Sequence, residues 1–152
     1  PLVSWLDFPT LDRSYYAAYG LGAFCDAEPI SIMKELPSND DEIRIAVSPP
    51  KAFTRLSDEM SIFQDLISQY SNIRVIWTCF TQAMVASGSV HAAVEWNLHL
   101  WDLAAAELLS REAGGDYRVI KEVEHTPGDI WYSAILGHPK LVEELDELVS
   151  SS

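Results

Sequence analysis

An α/β fold, with strands and helices in alternation, is predicted by three observations on this 152-residue chain. Short apolar runs bounded by proline, glycine and polar residues alternate with longer stretches whose apolar positions recur at helical spacing. The helical stretches are long enough for crossover connections, which implies a largely parallel or mixed sheet. Hydrophobic residues make up 48% of the chain, and a chain of this length buries roughly two-thirds of its unfolded surface, so a real core is expected.

Residues 2–8 and 14–19 are rich in apolar and aromatic side chains and flank the turn-prone Pro9, Thr10, Leu11 and Asp12, which predicts a strand pair. Gly20 and Gly22 then bend the chain into an extended segment over 23–30. Residues 35–42 are polar around Pro37 and read as a surface linker. The organisation expected is therefore strands plus linker over 1–42 and an α/β unit with a mixed sheet over 43–152. Within that unit, 43–47 is a short strand ending at Pro49 and Pro50. Residues 58–70 carry Met60, Ile62, Phe63, Leu66, Ile67 and Tyr70 on one helical face. A strand at 73–77, a helix over 81–87 stopped by Gly88, and a strand at 92–96 follow. Residues 100–113 form an amphipathic helix with the stripe Trp101, Ala104, Ala105, Leu108, Leu109 and Ala113, which predicts Trp101 buried against the sheet. Strands at 119–123 and 131–136 lead to a closing helix from Pro139 through 149, with 150–152 frayed.

Ten basic against twenty-three acidic side chains leave a formal charge of −13, which argues against nucleic acid and anionic membrane as partners. A small ligand or a cation is expected instead. Cys25 and Cys79 lie far apart in apolar settings and read as buried free thiols in a reducing, cytoplasmic compartment. No run approaches the roughly 20 apolar residues of a membrane span, and no signal pattern opens the chain. The start at Pro1, without methionine and inside an apolar run, reads as a truncated or processed chain. His91, His99, His125 and His138 lack zinc-site spacing, and His99 reads as a helix-start residue. Ser87-Gly88-Ser89 lacks a nucleophile elbow. Glu107 and Arg111 form an i, i+4 surface pair.

The stretch W-D-L-A-A-A-E-L-L-S-R-E-A-G-G, from Trp101 to Gly115, resembles the second signature of the inositol monophosphatase family, matching it at Trp101, Asp102, Ala104, Glu112, Ala113, Gly114 and Gly115. Gly20, Gly22, Ala23, Phe24 and Asp26 resemble an earlier family segment, with Ala27 in place of its usual glycine. The resemblance implies the C-terminal part of the inositol monophosphatase/fructose-bisphosphatase-like sugar phosphatase fold, with 1–42 as remnant strands of a larger N-terminal sheet. The family's first signature, Asp-Pro-x-Asp-Gly-Thr after a Glu-Glu pair, is absent; Asp7-Phe8-Pro9 and Asp12 have the wrong order for it.

For Asp102, the residues alone suggest an acid favoured by a helix N-terminus, and the resemblance implies a metal ligand. Magnesium is the cofactor it implies for a complete enzyme, weakly bound or absent here. Glu95, seven residues earlier, is either an exposed strand-end acid or, by the resemblance, a substrate-binding acceptor for polyol hydroxyls. The family's Gly-[Ser/Thr]-Ala turn falls on Trp77-Thr78-Cys79, so Thr78 keeps a substrate-binding hydroxyl while Trp77 replaces the glycine. The function implied is that of a magnesium-dependent phosphomonoesterase acting on a small phosphorylated polyol or sugar, inactive as this isolated chain. The alternative is a non-catalytic binding or assembly domain that retains the fold. A homo-oligomer is expected, because the edge beside 2–8 would otherwise present unpaired backbone groups.

Overall fold

The computed structural model describes residues 1–77 and 79–152. Strands β1 (Val3–Phe8), β2 (Arg13–Ala18), β3 (Gly22–Cys25) and β4 (Glu28–Ile30) form an antiparallel sheet in sequence order. A single 3-10 turn at Pro9–Leu11, closed by Asp12 in the left-handed conformation, joins the first two, as the turn residues predict. Its outer face carries a cross-strand ladder in which Trp5 stacks on Tyr16 and Tyr16 on Phe24.

After a linker ending in the turn Asp40–Glu42 come β5 (Arg44–Val47), α1 (Pro50–Phe53), α2 (Met60–Gln69), β6 (Asn72–Val75) and α3 (Cys79–Ala86). Then follow β7 (Ala92–Leu98), α4 (Leu100–Leu103), α5 (Ala106–Glu112), β8 (Asp116–Thr126), β9 (Asp129–Gly137) and α6 (Pro139–Ser151). The second sheet has the order β6-β5-β7-β9-β8. Its first three strands run parallel and β9 is antiparallel to both neighbours, so the mixed sheet expected is found. Alternation along β7 divides the core. Ala92, Val94 and Trp96 join the cluster under α1, α2 and α6, whereas Ala93 and Leu98 join the one that packs α3 and α5 between the sheets. With both faces covered, β7 is buried at every position. Among the described residues no helix is long and apolar enough to cross a membrane.

Three sequence expectations need correction. The helix over 100–113 is interrupted by a turn at Ala104 and Ala105, both still right-handed. Its buried residues are Leu103, Ala106, Leu108, Leu109, Ser110 and Ala113, so Leu108, Leu109 and Ala113 of the expected stripe are buried and Trp101, Ala104 and Ala105 are not. Trp101 is consequently 75% exposed, not buried, and stacks on His99 outside the core. The chain end is not frayed from 150: α6 runs through Ser151, and the Ser151 and Ser152 hydroxyls both donate to the Leu148 carbonyl. Cys25 is buried as expected, but Cys79 is only half-buried.

The Glu112-Ala113-Gly114-Gly115 end of the signature is scaffold. Gly114, at φ +87, donates to the Arg111 carbonyl and Gly115 to that of Ser110, a Schellman closure of α5. A Cβ on Gly115 would stand 2.1 Å from Ile32 Cδ1 and 2.7 Å from the Gly137 carbonyl, so only glycine fits. The Ala113 carbonyl accepts from Ile32 N–H at 2.9 Å. Glu112 accepts from the backbone N–H of Gly20 and of Gly22, each at 2.8 Å, and so ties the end of α5 to the β2–β3 turn. These donors hold its carboxyl below the usual carboxylate range. The linkage sign follows: a depressed folded pKa gives stability that is present above the unfolded value and lost as pH falls through the folded one. Glu112→Gln is therefore expected to lower the melting temperature at pH 7, with the gap from wild type narrowing at pH 3. A gap of equal size at both pH values would show that the charge contributes nothing.

Candidate functional site

The end of β7 sets the site. A register shift between Glu95 and Leu98 marks a bulge, and Asn97 takes the left-handed conformation at φ 48. Asn97 N–H donates to Ser133 Oγ at 3.1 Å and its amide nitrogen to the Ala52 carbonyl at 2.9 Å, which satisfies the irregular backbone. The chain then enters α4 with His99 as N-cap. Asp102 Oδ2 accepts from the His99 N–H at 3.1 Å, closing a capping box, so the helix-start reading of both residues has direct structural support.

Asp102 is exposed and borders a cavity of about 470 Å³, whose wall also includes Arg55, Trp77, Cys79, Leu98 and Trp101. The cavity lies where α3 begins, so the positive end of that helix and the Asp102 carboxylate face the same space. Thr78, the remaining candidate, lies outside the described residues. Trp77 stands on the cavity wall where the resemblance expects a glycine, and it is 41% exposed. Burial pushes the Cys79 thiol up, which argues against thiolate chemistry there.

Glu95 is not the exposed strand-end acid that the residues alone suggest. Because β7 continues to Leu98, Glu95 is interior to the strand; it is 3% exposed and does not line the cavity. Gln82 Nε2 donates to Glu95 Oε2 at 3.0 Å and to the Asp102 carbonyl at 2.7 Å, so one amide links the buried acid to the rim of the cavity. Burial pushes the Glu95 carboxyl up to about 8; the Gln82 hydrogen bond opposes this and the Asp102 charge adds to it.

Sequence reasoning missed the aromatic cluster around this cavity. The Arg55 guanidinium lies 4.9 Å from the ring centre of Trp77 and 5.1 Å from that of Trp131. Trp131 meets His99 at 3.8 Å, and His99 stacks on Trp101 at 4.3 Å. These residues come from five separate elements or loops, so no local spacing could have announced them; the signal was only that Trp77 and Trp131 are costly residues to leave unpartnered. Among the described residues no three His, Cys, Asp or Glu side chains converge as a metal site would require.

The sequence profile of the inositol monophosphatase family matches residues 1–150. The chain belongs to the inositol monophosphatase family. It is 28% identical over 153 residues to inositol monophosphatase of Dictyostelium discoideum, covering 97% of this chain and 54% of that one. It is 32% identical over 109 residues to inositol monophosphatase 2 of Homo sapiens, covering 70% and 38%. The chain thus spans about half the length of the curated relatives it matches, or less. The solved inositol monophosphatase of Zymomonas mobilis shares the fold at a TM-score of 0.82 with 17% identity, covering 99% of this chain and 58% of that one. Membership in the inositol monophosphatase family gives the α/β architecture and its second signature a common explanation.

Proposed function

We propose that this chain supplies the Asp102-bearing part of a magnesium-dependent phosphomonoesterase for small phosphorylated polyols or sugars, acting in a reducing, cytoplasmic setting. The observation that carries this reading is an exposed first-turn carboxylate on the rim of a cavity that also receives a helix N-terminus. The fit to magnesium is partial. One Asp102 oxygen caps α4 and the carboxylate is solvent-accessible, so it suits a cation that keeps most of its waters. Buried Glu95 favours its proton and is unsuited to a metal, and a single carboxylate is a ligand rather than a site. No chemical step is therefore routed through a metal here. What the chain's own residues do is hold the rim: Gln82 fixes the Asp102 backbone from below, and Glu95, kept neutral, anchors Gln82. Glu95 thus bears on polyol binding indirectly, and Thr78 remains, on the family resemblance alone, the proposed substrate-binding hydroxyl.

Calorimetry on the isolated chain is expected to give millimolar or no magnesium affinity, and inositol monophosphate no turnover above background. Fused behind a segment carrying a Glu-Glu pair and an Asp-Pro-x-Asp-Gly-Thr run, the chain should gain magnesium-dependent hydrolysis that Asp102→Asn removes. A fusion that stays fully active with that substitution would refute the metal role.

One observation favours the second reading, an assembly domain. Among the described residues β1 pairs on one side only, and Leu2, Val3, Trp5, Tyr19 and Leu21 are exposed around it. A second copy covering this edge predicts a dimeric mass at micromolar concentration. A strictly monomeric mass, with the amides of β1 fully protected from exchange, would exclude it.

A further inference from the structure

Among the described residues Arg44, Arg55 and Arg74 pair with no carboxylate, and of the three it is Arg55 whose guanidinium lies over indole rings. Arg13, Arg111 and Arg118 each meet a carboxylate at 3.0 Å or closer, as expected where acids outnumber bases twenty-three to ten. Arg55 is half-buried, yet among the described residues it makes no ion pair. Among the described residues its side chain makes one hydrogen bond, a long one from Nη1 to the Asn97 carbonyl at 3.4 Å. The indoles of Trp77 and Trp131 account for its position: a guanidinium over aromatic faces is stabilised without satisfying its in-plane donors. A guanidinium has five such donors, and this one forms part of the cavity wall.

We propose that Arg55 is the oxyanion-binding residue of this cavity, taking the phosphate group of a phosphate monoester. Three features support this. The fork of N–H donors matches the oxygens of phosphate in a bidentate manner, which an ammonium cannot do. Cys79, the first residue of α3, lines the same cavity, so the positive end of the helix acts on the same space. Trp77 occupies the place where a glycine would have let the backbone approach a phosphate closely, and its ring instead positions a side-chain donor. Anion binding is then assigned to a side chain stacked on Trp77 rather than to a backbone turn. The proposal rests on the phosphatase reading only for the identity of the ester; the anion site itself can be tested alone.

The test is a titration of the full chain with inorganic phosphate against chloride at matched ionic strength, followed through the side-chain N–H signals of arginine and tryptophan. A saturable shift of Arg55 Nε–H with Trp77 and Trp131 Nε1–H is expected in the millimolar range. Arg55→Met should weaken the affinity by about tenfold or more, as loss of charge-assisted hydrogen bonds implies. Arg55→Lys keeps the charge but not the fork, and should weaken it by a smaller, several-fold factor; it carries the test if Arg55→Met does not fold. No saturable response in wild type, or equal affinity in either Arg55 variant, overturns the proposal. Failure of the phosphatase reading would appear instead as an inactive fusion that still binds phosphate through Arg55.

Discussion

Truncating Trp96 to alanine is expected to cost about 3 to 5 kcal/mol, while the same truncation at Trp101 costs less than about 1 to 1.5 kcal/mol. Trp96 is 2% exposed, and its ring stacks on Phe53 with centroids 5.0 Å apart. Its Nε1–H donates to Glu59 Oε2 at 2.8 Å, and Glu59 in turn pairs with Lys121, whose ammonium sits 5.5 Å from the Trp96 ring centre. Removing the indole therefore opens a cavity and takes a hydrogen bond from a half-buried carboxylate at once. Trp101 offers only its stacking on His99, on the solvent side of α4. Urea midpoints of the two variants decide the matter. A larger loss at Trp101 than at Trp96 would mean that the helix presents the other face.

Replacing Glu95 by glutamine should stabilise the fold, and only above the pH at which an unfolded glutamate ionises. The folded carboxyl titrates at about 8, the unfolded one at about 4.3. A raised folded pKa means that the native state holds a proton the unfolded chain releases, so stability is full below the unfolded value and falls as pH rises toward the folded one. At pH 7 the penalty is roughly 3 kcal/mol, and glutamine removes it while still accepting from Gln82 Nε2. Chemical denaturation at pH 4 and pH 8 should give a variant equal to wild type at the first and clearly more stable at the second. A variant less stable at pH 8 would show that Glu95 is ionised in the fold and held by a cation.

The layout of strands and helices was legible because apolar periodicity records which faces are covered, and it is plain in α2, where Phe63 and Leu66 are buried, and in β5. The end of β7 was not legible. Asn97 reads locally as a turn residue, and the carbonyl and hydroxyl acceptors supplied by Ala52 and Ser133 hold it in the sheet. Trp101 was misplaced for a different reason: the buried side of this segment is centred on Leu103, Ala106, Leu109 and Ala113, which leaves Trp101 on the neighbouring solvent face. Asp102 could be located from its motif, since capping and first-turn placement are local. Arg55 could not, because positions 55, 77 and 131 meet only once the second sheet and its loops are in place.

The double bond from Glu112 to the β2–β3 turn has a consequence for how variants of such a chain would be scored. Helix α5 is a stub about 10 Å long, with one end pinned between two sheets and the other leading back to the Asp102 turn. Loosening the pin is expected to let the stub shift, with Asp102 lying in the turn of helix that leads into its other end. A screen that counts only lost activity would therefore rank Glu112 alongside Asp102 and count a hinge pin as part of the chemistry. Comparing Glu112→Gln with Asp102→Asn for heat stability in the same screen is expected to separate them, because Asn keeps an oxygen that can accept from the His99 N–H while the Glu112 variant loses the charge that holds two backbone donors.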